Sequence, residues 1–264
     1  MGHDRAQHIS DPFFMSLIGQ IADNLAERNY NLLLSRVLPD DEEWLDRMVR
    51  AHLFDGVIII GQSDQHDVIR RVAGYYAPLV VWGQFSEGNG YITVGSDNHE
   101  GGRIAASHLF DQGCEKLVFL GDPAAPEIDA RMSGCQLAAS TRQKDQITVV
   151  KVDLDPDAAH DQLTQWLRKK PIFDGIVAAS DVVAMSALRA LDDHDLTTPA
   201  QVKVIGYDDL PIAGQTRPPL SSVRQDLAIG ARELVRLLFA RINKEPTQSL
   251  LMKPVLVERK STEK

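Results

Sequence analysis

The chain has 264 residues, of which 44% are hydrophobic and 25% are charged, as in a globular protein with a large core. Acidic residues outnumber basic ones by 37 to 28, and a net charge of −9 makes the chain by itself a poor partner for nucleic acid. No apolar run approaches the roughly 20 residues that span a bilayer. Two cysteines are too few for a disulfide scaffold, and residues 1–8 lack the apolar segment of a secretory signal. We therefore expect a reduced, cytoplasmic protein.

Short runs rich in Val, Ile and Leu recur along the chain, and amphipathic stretches with helical spacing separate them. Asp11 and Pro12, and later the acidic residues 40–43, supply helix start signals. Nearly continuous apolar character is typical of parallel strands that are covered on both faces. The alternation predicts an α/β fold with parallel sheets, but it leaves one barrel, one wide sheet or two smaller sheets open. The runs are residues 31–35, 56–60, 79–82, 91–94, 116–120, 147–152, 175–178 and 202–205.

Several motifs that carry chemistry in other α/β proteins are absent from the sequence. It has no Gly-x-x-x-x-Gly-Lys phosphate loop, no Gly-x-Gly-x-x-Gly turn and no Gly-x-Ser-x-Gly elbow. The eight histidines are scattered without metal-ligand spacing, so we expect neither a metal nor a cofactor. We interpret Gly101 and Gly102 as a packing or capping feature at a helix start, and Cys114 and Cys135 as packing residues without an activating partner. No motif therefore indicates an enzyme.

Polar residues follow the apolar runs, and ligands of open α/β sheets bind beyond the carboxyl ends of strands. Ser180 and Asp181 follow one run, Asp208 and Asp209 follow the next, and Arg131 lies in the helix expected after an earlier one. Carboxylates accept hydrogen bonds from vicinal hydroxyls, and a guanidinium donates to them. These residue types predict a site for a polyhydroxylated ligand.

Each of these residues also has a simpler interpretation. Capping of the next helix would explain Ser180 or Asp181 equally well. One of Asp208 and Asp209 is expected to shape the turn, and we favour Asp208 as the ligand acceptor. From its position alone, Arg131 could be an ordinary surface residue.

The first part of the chain holds weaker candidates. Ser35 ends the first apolar run, and Gly61 and Gln62 follow the second. Phe13 and Phe14 are both expected in the core, with at most one of them offering an aromatic face to a sugar ring.

Six short motifs follow one another over nearly the whole chain. They are Asp-Pro-Phe-Phe at 11–14, the stretch 97–109 with Gly113 after it, Arg-x-x-Gly at 131–134, Ala-Ser-Asp at 179–181, and the stretches 204–209 and 218–226. In this order they resemble the lactose-repressor (LacI/GalR) family of bacterial transcription regulators. Any one motif is weak, but the ordered set is specific.

The resemblance implies a fold like the type I periplasmic sugar-binding proteins, with two similar α/β lobes of parallel sheets flanked by helices, joined by three crossovers around a cleft. It implies an N-terminal lobe of residues 1–95 plus 227–250 and a C-terminal lobe of 96–226 plus 251–264. The family's helix-turn-helix headpiece is absent from this sequence, and polar residues 3–8 stand where relatives have an apolar first strand. A missing strand would leave an unpaired position in the first sheet.

The resemblance also implies a ligand site, and Asp181 joins it from the strand-end argument. Many relatives have Asn at the position of Ser180, whose shorter hydroxyl offers one contact fewer. The implied partners are a small sugar, a second copy of the chain, and operator DNA through the missing headpiece, with no membrane. The candidates are Arg131, Asp208, Ser180 and Gln225, then Asp11, Phe14, Ser35, Gly61 and Gln62, and finally Asp181.

We therefore expect the effector-binding and dimerisation domain of a sugar-responsive regulator. A sugar-binding protein of a transporter is the alternative, although it would need an export signal. A third possibility is a sugar-modifying enzyme that uses Asp181 and Asp208 as acid and base. The acidic balance, and the lack of a lysine near the candidate site, lean against a phosphorylated ligand.

Overall fold

The computed structural model describes residues 9–37, 41–62, 65–85 and 87–263. Within these ranges the strands form two sheets, one of four strands and one of six. The predicted α/β fold with parallel sheets is confirmed, and two smaller sheets are the arrangement that occurs.

The helices and strands alternate along most of the chain. The helices are α1 Pro12–Ala26, α2 Trp44–Arg50, α3 His66–Ala73, α4 Asn98–Asp111, α5 Pro126–Thr141, α6 Pro156–Leu167, α7 Asp181–Asp192 and α8 Leu227–Ile242. The strands are β1 Val57–Ile60, β2 Leu79–Trp82, β3 Ile92–Ser96, β4 Leu117–Leu120, β5 Thr148–Val150, β6 Gly175–Ala178, β7 Lys203–Asp208, β8 Ser221–Arg224, β9 Leu250–Met252 and β10 Val255–Val257.

The chain divides into two compact units, each built from separate stretches of sequence. The N-terminal unit comprises residues 9–97 and 226–252, and the C-terminal unit comprises residues 98–225 and the chain from 253 onward. The lobe boundaries expected from the family resemblance stay a prediction.

The N-terminal unit has a parallel sheet in the order β1-β2-β3-β9, with α1 and α8 packed against it. Helix α1 begins as the sequence predicts, because the Asp11 carboxylate accepts a hydrogen bond from the amide of Phe13 at 2.8 Å and Pro12 occupies the first helical position. Its apolar stripe, Leu17, Ile21 and Leu25, is buried against this sheet.

The C-terminal unit has a six-stranded sheet in the order β10-β8-β7-β6-β4-β5, parallel except for β10, which runs antiparallel to β8. Its strands are covered on both faces. Ile176 packs in one core cluster and the next residue, Val177, packs in the other. This burial is the reason for the continuous apolar runs in the sequence.

Glycines allow α4 and α5 to pack closely. A Cβ atom at Gly102 would lie 1.8 Å from the carbonyl oxygen of Arg131, and one at Gly134 would lie 1.9 Å from that of His99. The packing interpretation of Gly102 is therefore confirmed. Gly113 has a φ of +93° just after α4, where the sequence indicates a helix stop.

The strand predicted at residues 31–35 is wrong. Residues 30–37 have no regular structure, and the side chain of Leu33 is 70% exposed. A β-forming sequence becomes a strand only when it finds a partner and a face to bury, and no described strand pairs with this segment. Strands β8, β9 and β10 lie outside the predicted apolar runs; β8 contains two serines and an arginine, and β9 and β10 have three residues each. The polar chain start at 1–8 and residue 40 of the acidic helix signal lie outside the described residues.

Candidate functional site

The strand order of the six-stranded sheet reverses between β4 and β6. From β4 the chain moves outward to β5, whereas from β6 it moves the other way through β7 to β8. In open α/β sheets the loops diverge at such a point and leave a crevice at the carboxyl ends of the strands. The structure brings four predicted residues to this edge of the sheet: Arg131, Ser180, Asp208 and Gln225.

Arg131 is fixed by three contacts. Its Nε donates to Oδ1 of Asn98 at 2.8 Å, and its Nη1 donates to the carbonyl oxygen of Ala179 at 2.5 Å. Its guanidinium carbon lies 3.7 Å from the centre of the Tyr207 ring. Gly101 makes room for that ring, since a Cβ atom there would lie 2.2 Å from the tyrosine hydroxyl. Arg131 is therefore a held, half-buried cation rather than an ordinary surface residue.

Asp208 ends β7 with its side chain almost fully buried. Gln225 donates from Nε2 to Oδ1 of Asp208 at 2.7 Å, which fixes the direction of the carboxylate. The neighbouring Asp209 is occupied differently, with ion pairs to Arg224 at 2.7 Å and to Arg259 at 2.6 Å. Asp209 thus has two arginine partners, in agreement with the expectation that it shapes the turn.

Ser180 and Asp181 have separate roles at the start of α7. Ser180 is the N-cap, and its hydroxyl accepts from the amide of Val183 at 3.2 Å. Asp181 is fully enclosed and accepts from the amide of Leu210 at 2.7 Å and from the hydroxyl of Ser222 at 2.6 Å. Burial, reinforced by the nearby Asp208, raises the pKa of Asp181 well above its usual range. These contacts are structural, and its predicted role as a ligand contact stays a prediction.

In the N-terminal unit the first candidates lie at the start of α1. Asp11 is used as the helix cap, and burial raises the pKa of its carboxyl group. Phe13 packs on Trp82 with ring centres 6.1 Å apart, as a core residue does. Phe14 meets Phe13 edge-on at 5.7 Å, and both rings are half-buried. Because Phe13 packs against the core of this unit, Phe14 stays the predicted ligand-facing ring of the pair.

The remaining candidates of this unit are two residues at the end of β1 and one after α1. Gln62 is buried and donates from Nε2 to the hydroxyl of Tyr91 at 2.8 Å and to the carbonyl oxygen of Gln84 at 3.0 Å. Gly61 takes a φ of +86° at the end of β1. Ser35 is exposed within the irregular segment. Gln62 thus supports the local loop structure through both of its donor contacts.

Sequence reasoning missed a lysine at the strand ends. Nζ of Lys151, just after β5, lies 3.3 Å from Oδ1 of Asp122, which follows β4. Lys151 was hidden inside the apolar run 147–152, so its place at the strand end was not recognised. Lys151 is thus a lysine at the carboxyl end of β5 that is paired with Asp122, and the expectation of an unphosphorylated ligand stays a prediction.

Other expectations concern what the fold contains besides this site. Across the described part of the chain, no three His, Cys, Asp or Glu residues cluster as metal ligands, and no helix is long and apolar enough to cross a bilayer. Cys114 and Cys135 are buried and free, and burial raises the pKa of Cys114 to about 12. Their interpretation as packing residues is confirmed.

Comparison with known proteins connects this geometry to a family. A model described as a periplasmic binding protein-like domain matches residues 106–262. The chain belongs to this family. Among its curated relatives is the HTH-type transcriptional regulator CelR of Thermobifida fusca, which is 27% identical over 247 residues, or 90% of this chain and 72% of CelR. The predicted resemblance to LacI-type regulators is thus confirmed, and such relatives are regulators of transcription.

Solved structures agree with this assignment. A LacI family transcriptional regulator from Enterococcus faecalis V583, with bound ribose, has a TM-score of 0.85 at 25% identity and covers 97% of this chain and 96% of its own. A periplasmic binding protein/LacI transcriptional regulator from Alkaliphilus metalliredigens QYMF, complexed with D-xylulofuranose, has a TM-score of 0.80 at 25% identity and covers 98% and 97%. The periplasmic-binding-protein-like fold is confirmed by both.

Proposed function

We propose that this chain is the effector-binding part of a sugar-responsive LacI-type transcriptional regulator. The observation that carries the proposal is the arrangement at the strand ends of the C-terminal unit, where a held guanidinium, Arg131, and a buried carboxylate, Asp208, belong to the same sheet edge. That edge is the point of strand-order reversal, where α/β folds bind ligands.

The chemistry of these groups suits a ligand with several hydroxyl groups. Carboxylate oxygens accept hydrogen bonds from sugar hydroxyls, and Gln225 orients the Asp208 carboxylate by donating to its Oδ1. Arg131 has five N–H donors, and two of its nitrogen atoms are engaged by Asn98 and Ala179. Because both side chains are already oriented, little rotamer entropy is lost on binding.

Sugars bound in two related structures support a small sugar as the ligand. The Enterococcus faecalis and Alkaliphilus metalliredigens structures hold ribose and D-xylulofuranose. We infer a ligand of this size. Whether a ligand also meets Phe14 or other groups of the N-terminal unit stays a prediction.

The regulatory part of the proposal concerns partners outside this chain. With a net charge of −9 the chain does not supply the basic surface that DNA needs, so DNA contact would come from a helix-turn-helix part, as in relatives named HTH-type. A homodimer would match two operator half-sites, and we expect it to act in the cytoplasm. Ligand binding would then alter DNA binding by the coupling of about 1–3 kcal/mol that is typical of allosteric proteins.

Titration calorimetry tests the site. The panel contains D-ribose, D-xylulose and D-ribose 5-phosphate, and the variants are Asp208→Asn and Arg131→Met, with the exposed Asp145→Asn as a charge-matched control. We expect Asp208→Asn to weaken binding by about 10–100-fold, since hydrogen bonds to charged groups contribute about 1.5–3 kcal/mol. Undiminished binding in both site variants would reject the site, and a panel without any binder would reject a small pentose as the ligand.

The transporter alternative shares the fold, and the Alkaliphilus metalliredigens relative is described as either kind of protein. Light scattering separates the two, because a regulator that reads two half-sites works as a dimer. A dimer at micromolar concentration supports the regulator, and a monomer with tight sugar binding supports the transport component.

A further inference from the structure

The turn after Asp208 is held by a carboxylate that lies behind it. Asp209 and Leu210 are the two residues that follow Asp208. The amide of Leu210 is hydrogen-bonded to Asp181 directly, and that of Asp209 is connected to it through the hydroxyl of Ser222. We propose that Asp181 is a positioning residue, which sets the direction of the Asp208 carboxylate without touching the ligand. The proposal rests on the proposed function, in which Asp208 receives the sugar.

Three hydrogen bonds connect Asp181 to the turn. Its Oδ2 accepts directly from the amide of Leu210 at 2.7 Å. Its Oδ1 accepts from the hydroxyl of Ser222 at 2.6 Å, and the oxygen of that hydroxyl accepts from the amide of Asp209 at 3.0 Å. One buried side chain therefore anchors two successive backbone amides, one directly and one through a serine.

The turn needs such anchoring because its backbone is strained. Asp208 has a φ of +109° and Asp209 a φ of +56°, values that residues other than glycine seldom adopt. Strained residues of this kind persist only where several interactions fix them. The ion pairs of Asp209 with Arg224 and Arg259 add a second set of constraints from β8 and the C-terminal segment.

The sheet itself leaves room for this carboxylate. A Cβ atom at Gly206 in β7 would lie 2.2 Å from Oδ1 of Asp181, so any larger residue there would displace it. Asp181 is also completely enclosed, which excludes direct contact with a ligand in this conformation. The residue acts through the backbone of the turn.

Loss of the anchor has a defined consequence. With the amides of Asp209 and Leu210 released, the backbone at Asp208 is free to return to a negative φ. That change turns the carboxylate away from Gln225, to which it is now bonded at 2.7 Å. We therefore expect a loss of sugar affinity that exceeds what a loss of stability alone would cause.

The test uses three variants and one matched control. Asp181→Ala removes the anchor, Ser222→Ala removes only the link to Asp209, and Asp181→Asn keeps both bonds, because an amide accepts from Leu210 and donates to the serine. The control is Asp174→Ala. The Asp174 carboxylate also accepts from two amides, those of Glu115 and Lys116, both at 2.8 Å, but it precedes β6 at the opposite end of the strand.

Two readouts are measured on the whole chain: amide hydrogen exchange by NMR without ligand, and affinity for D-ribose and D-xylulose by calorimetry. We expect Asp181→Ala to speed exchange at Asp209 and Leu210 and to weaken binding of whichever sugar binds by about tenfold or more, as the loss of a buried hydrogen-bond acceptor predicts. Ser222→Ala should speed exchange at Asp209 alone. Asp181→Asn and Asp174→Ala should leave both readouts near wild type.

Failure of this inference differs from failure of the proposed function. If wild type binds neither sugar, the proposed function loses its ligand, while exchange at Asp209 and Leu210 still decides whether Asp181 holds the turn. Wild-type exchange or wild-type affinity in Asp181→Ala overturns the positioning role. If that variant does not fold, slow wild-type exchange at Asp209 in Ser222→Ala overturns it instead.

Discussion

The guanidinium of Arg131 is stacked on the face of Tyr207, with 3.7 Å between the guanidinium carbon and the ring centre. The ring belongs to β7, one residue before Asp208, and Arg131 belongs to α5. The stack therefore connects the two candidate ligand groups, because Tyr207 contacts Arg131 and is the neighbour of Asp208 in the chain. We expect a substitution of Arg131 to affect the position of Asp208, and the reverse.

A double-mutant cycle on Arg131→Met and Tyr207→Leu measures this stack. We expect a coupling of about 1 kcal/mol in the free energy of unfolding, because a cation on a buried ring is less hydrated than at the surface. Arg28 and Phe239, 5.7 Å apart, form the comparison pair, for which we expect less. Equal coupling in both cycles would contradict a special role for the Arg131 stack. Urea unfolding provides the values.

Alanine substitutions at three helical glycines should separate the effect of close helix packing on stability from the effect of helix propensity. Gly102→Ala and Gly134→Ala push a methyl group into the facing backbone, so we expect each to lower the free energy of unfolding by about 1–3 kcal/mol or more. Gly19 in α1 has no atom within 4 Å of its added Cβ, and Gly19→Ala should raise stability by about 0.5–1 kcal/mol. A stabilising Gly102→Ala would show that α4 and α5 are not in close contact.

The pH dependence of stability should reveal the buried Asp181. Its pKa is raised in the folded state by burial and by Asp208, with a smaller effect of Asp209, whose own charge is paired with Arg224 and Arg259. The folded chain therefore holds this proton more tightly than the unfolded chain. The resulting stabilisation is complete below a pH of about 4, the ordinary pKa of Asp, and is lost as pH rises through the folded pKa.

Asp181→Asn lacks this titration. Its stability relative to wild type should therefore increase as pH rises above about 4, where the ordinary Asp titrates. Urea unfolding of both proteins at several pH values between about 4 and neutrality measures the difference in the free energy of unfolding. A difference that is constant with pH, or one that falls, would show that Asp181 ionises as freely in the folded chain as in the unfolded one.

Leucine substitutions test the irregular segment that follows α1. Leu33 is 70% exposed, so Leu33→Ala should change the free energy of unfolding by no more than about 0.5 kcal/mol. Leu17 is fully buried, and Leu17→Ala should lower it by about 2–5 kcal/mol. A similarly large loss of unfolding free energy in both variants would mean that Leu33 is buried in solution. That result would support the strand predicted from the sequence at residues 31–35.

Cys114 and Cys135 should resist thiol reagents while the chain is folded. The thiolate is the reactive form, and burial raises the pKa of Cys114 to about 12 and that of Cys135 as well. We expect neither to react with a disulfide reagent at pH 8 within minutes, and both to react in denaturant. Rapid labelling of the folded chain would show that one of these sites opens to solvent.

Much of the fold could be read from the sequence because burial leaves a pattern. The run 175–178 is apolar at every position, since neighbouring residues of β6 pack into different core clusters. The residues that follow such runs, Asp208 among them, were found by their position alone. Apolar runs, and the polar residues that follow them, can be recognised in the local sequence without knowing which distant segments they contact.

Features that depend on distant partners escaped prediction. A strand at 31–35 needed a pairing partner, and the three-residue β9 needed β3, which lies about 150 residues earlier in the chain. The role of Asp181 was open for the same reason, because a carboxylate at a helix start suits capping, ligand contact or buried support. Only the positions of Leu210 and Ser222 decide among these.

The interleaved order of the two units bears on how a ribosome makes this protein. The sheet of the N-terminal unit lacks β9, and α8 is not yet available to cover it, until residues 226–252 have been translated. Its earlier strands must therefore wait, with apolar surface uncovered, while all of residues 98–225 emerge. We infer that the N-terminal unit completes its folding only after the stretch 226–252 has been translated.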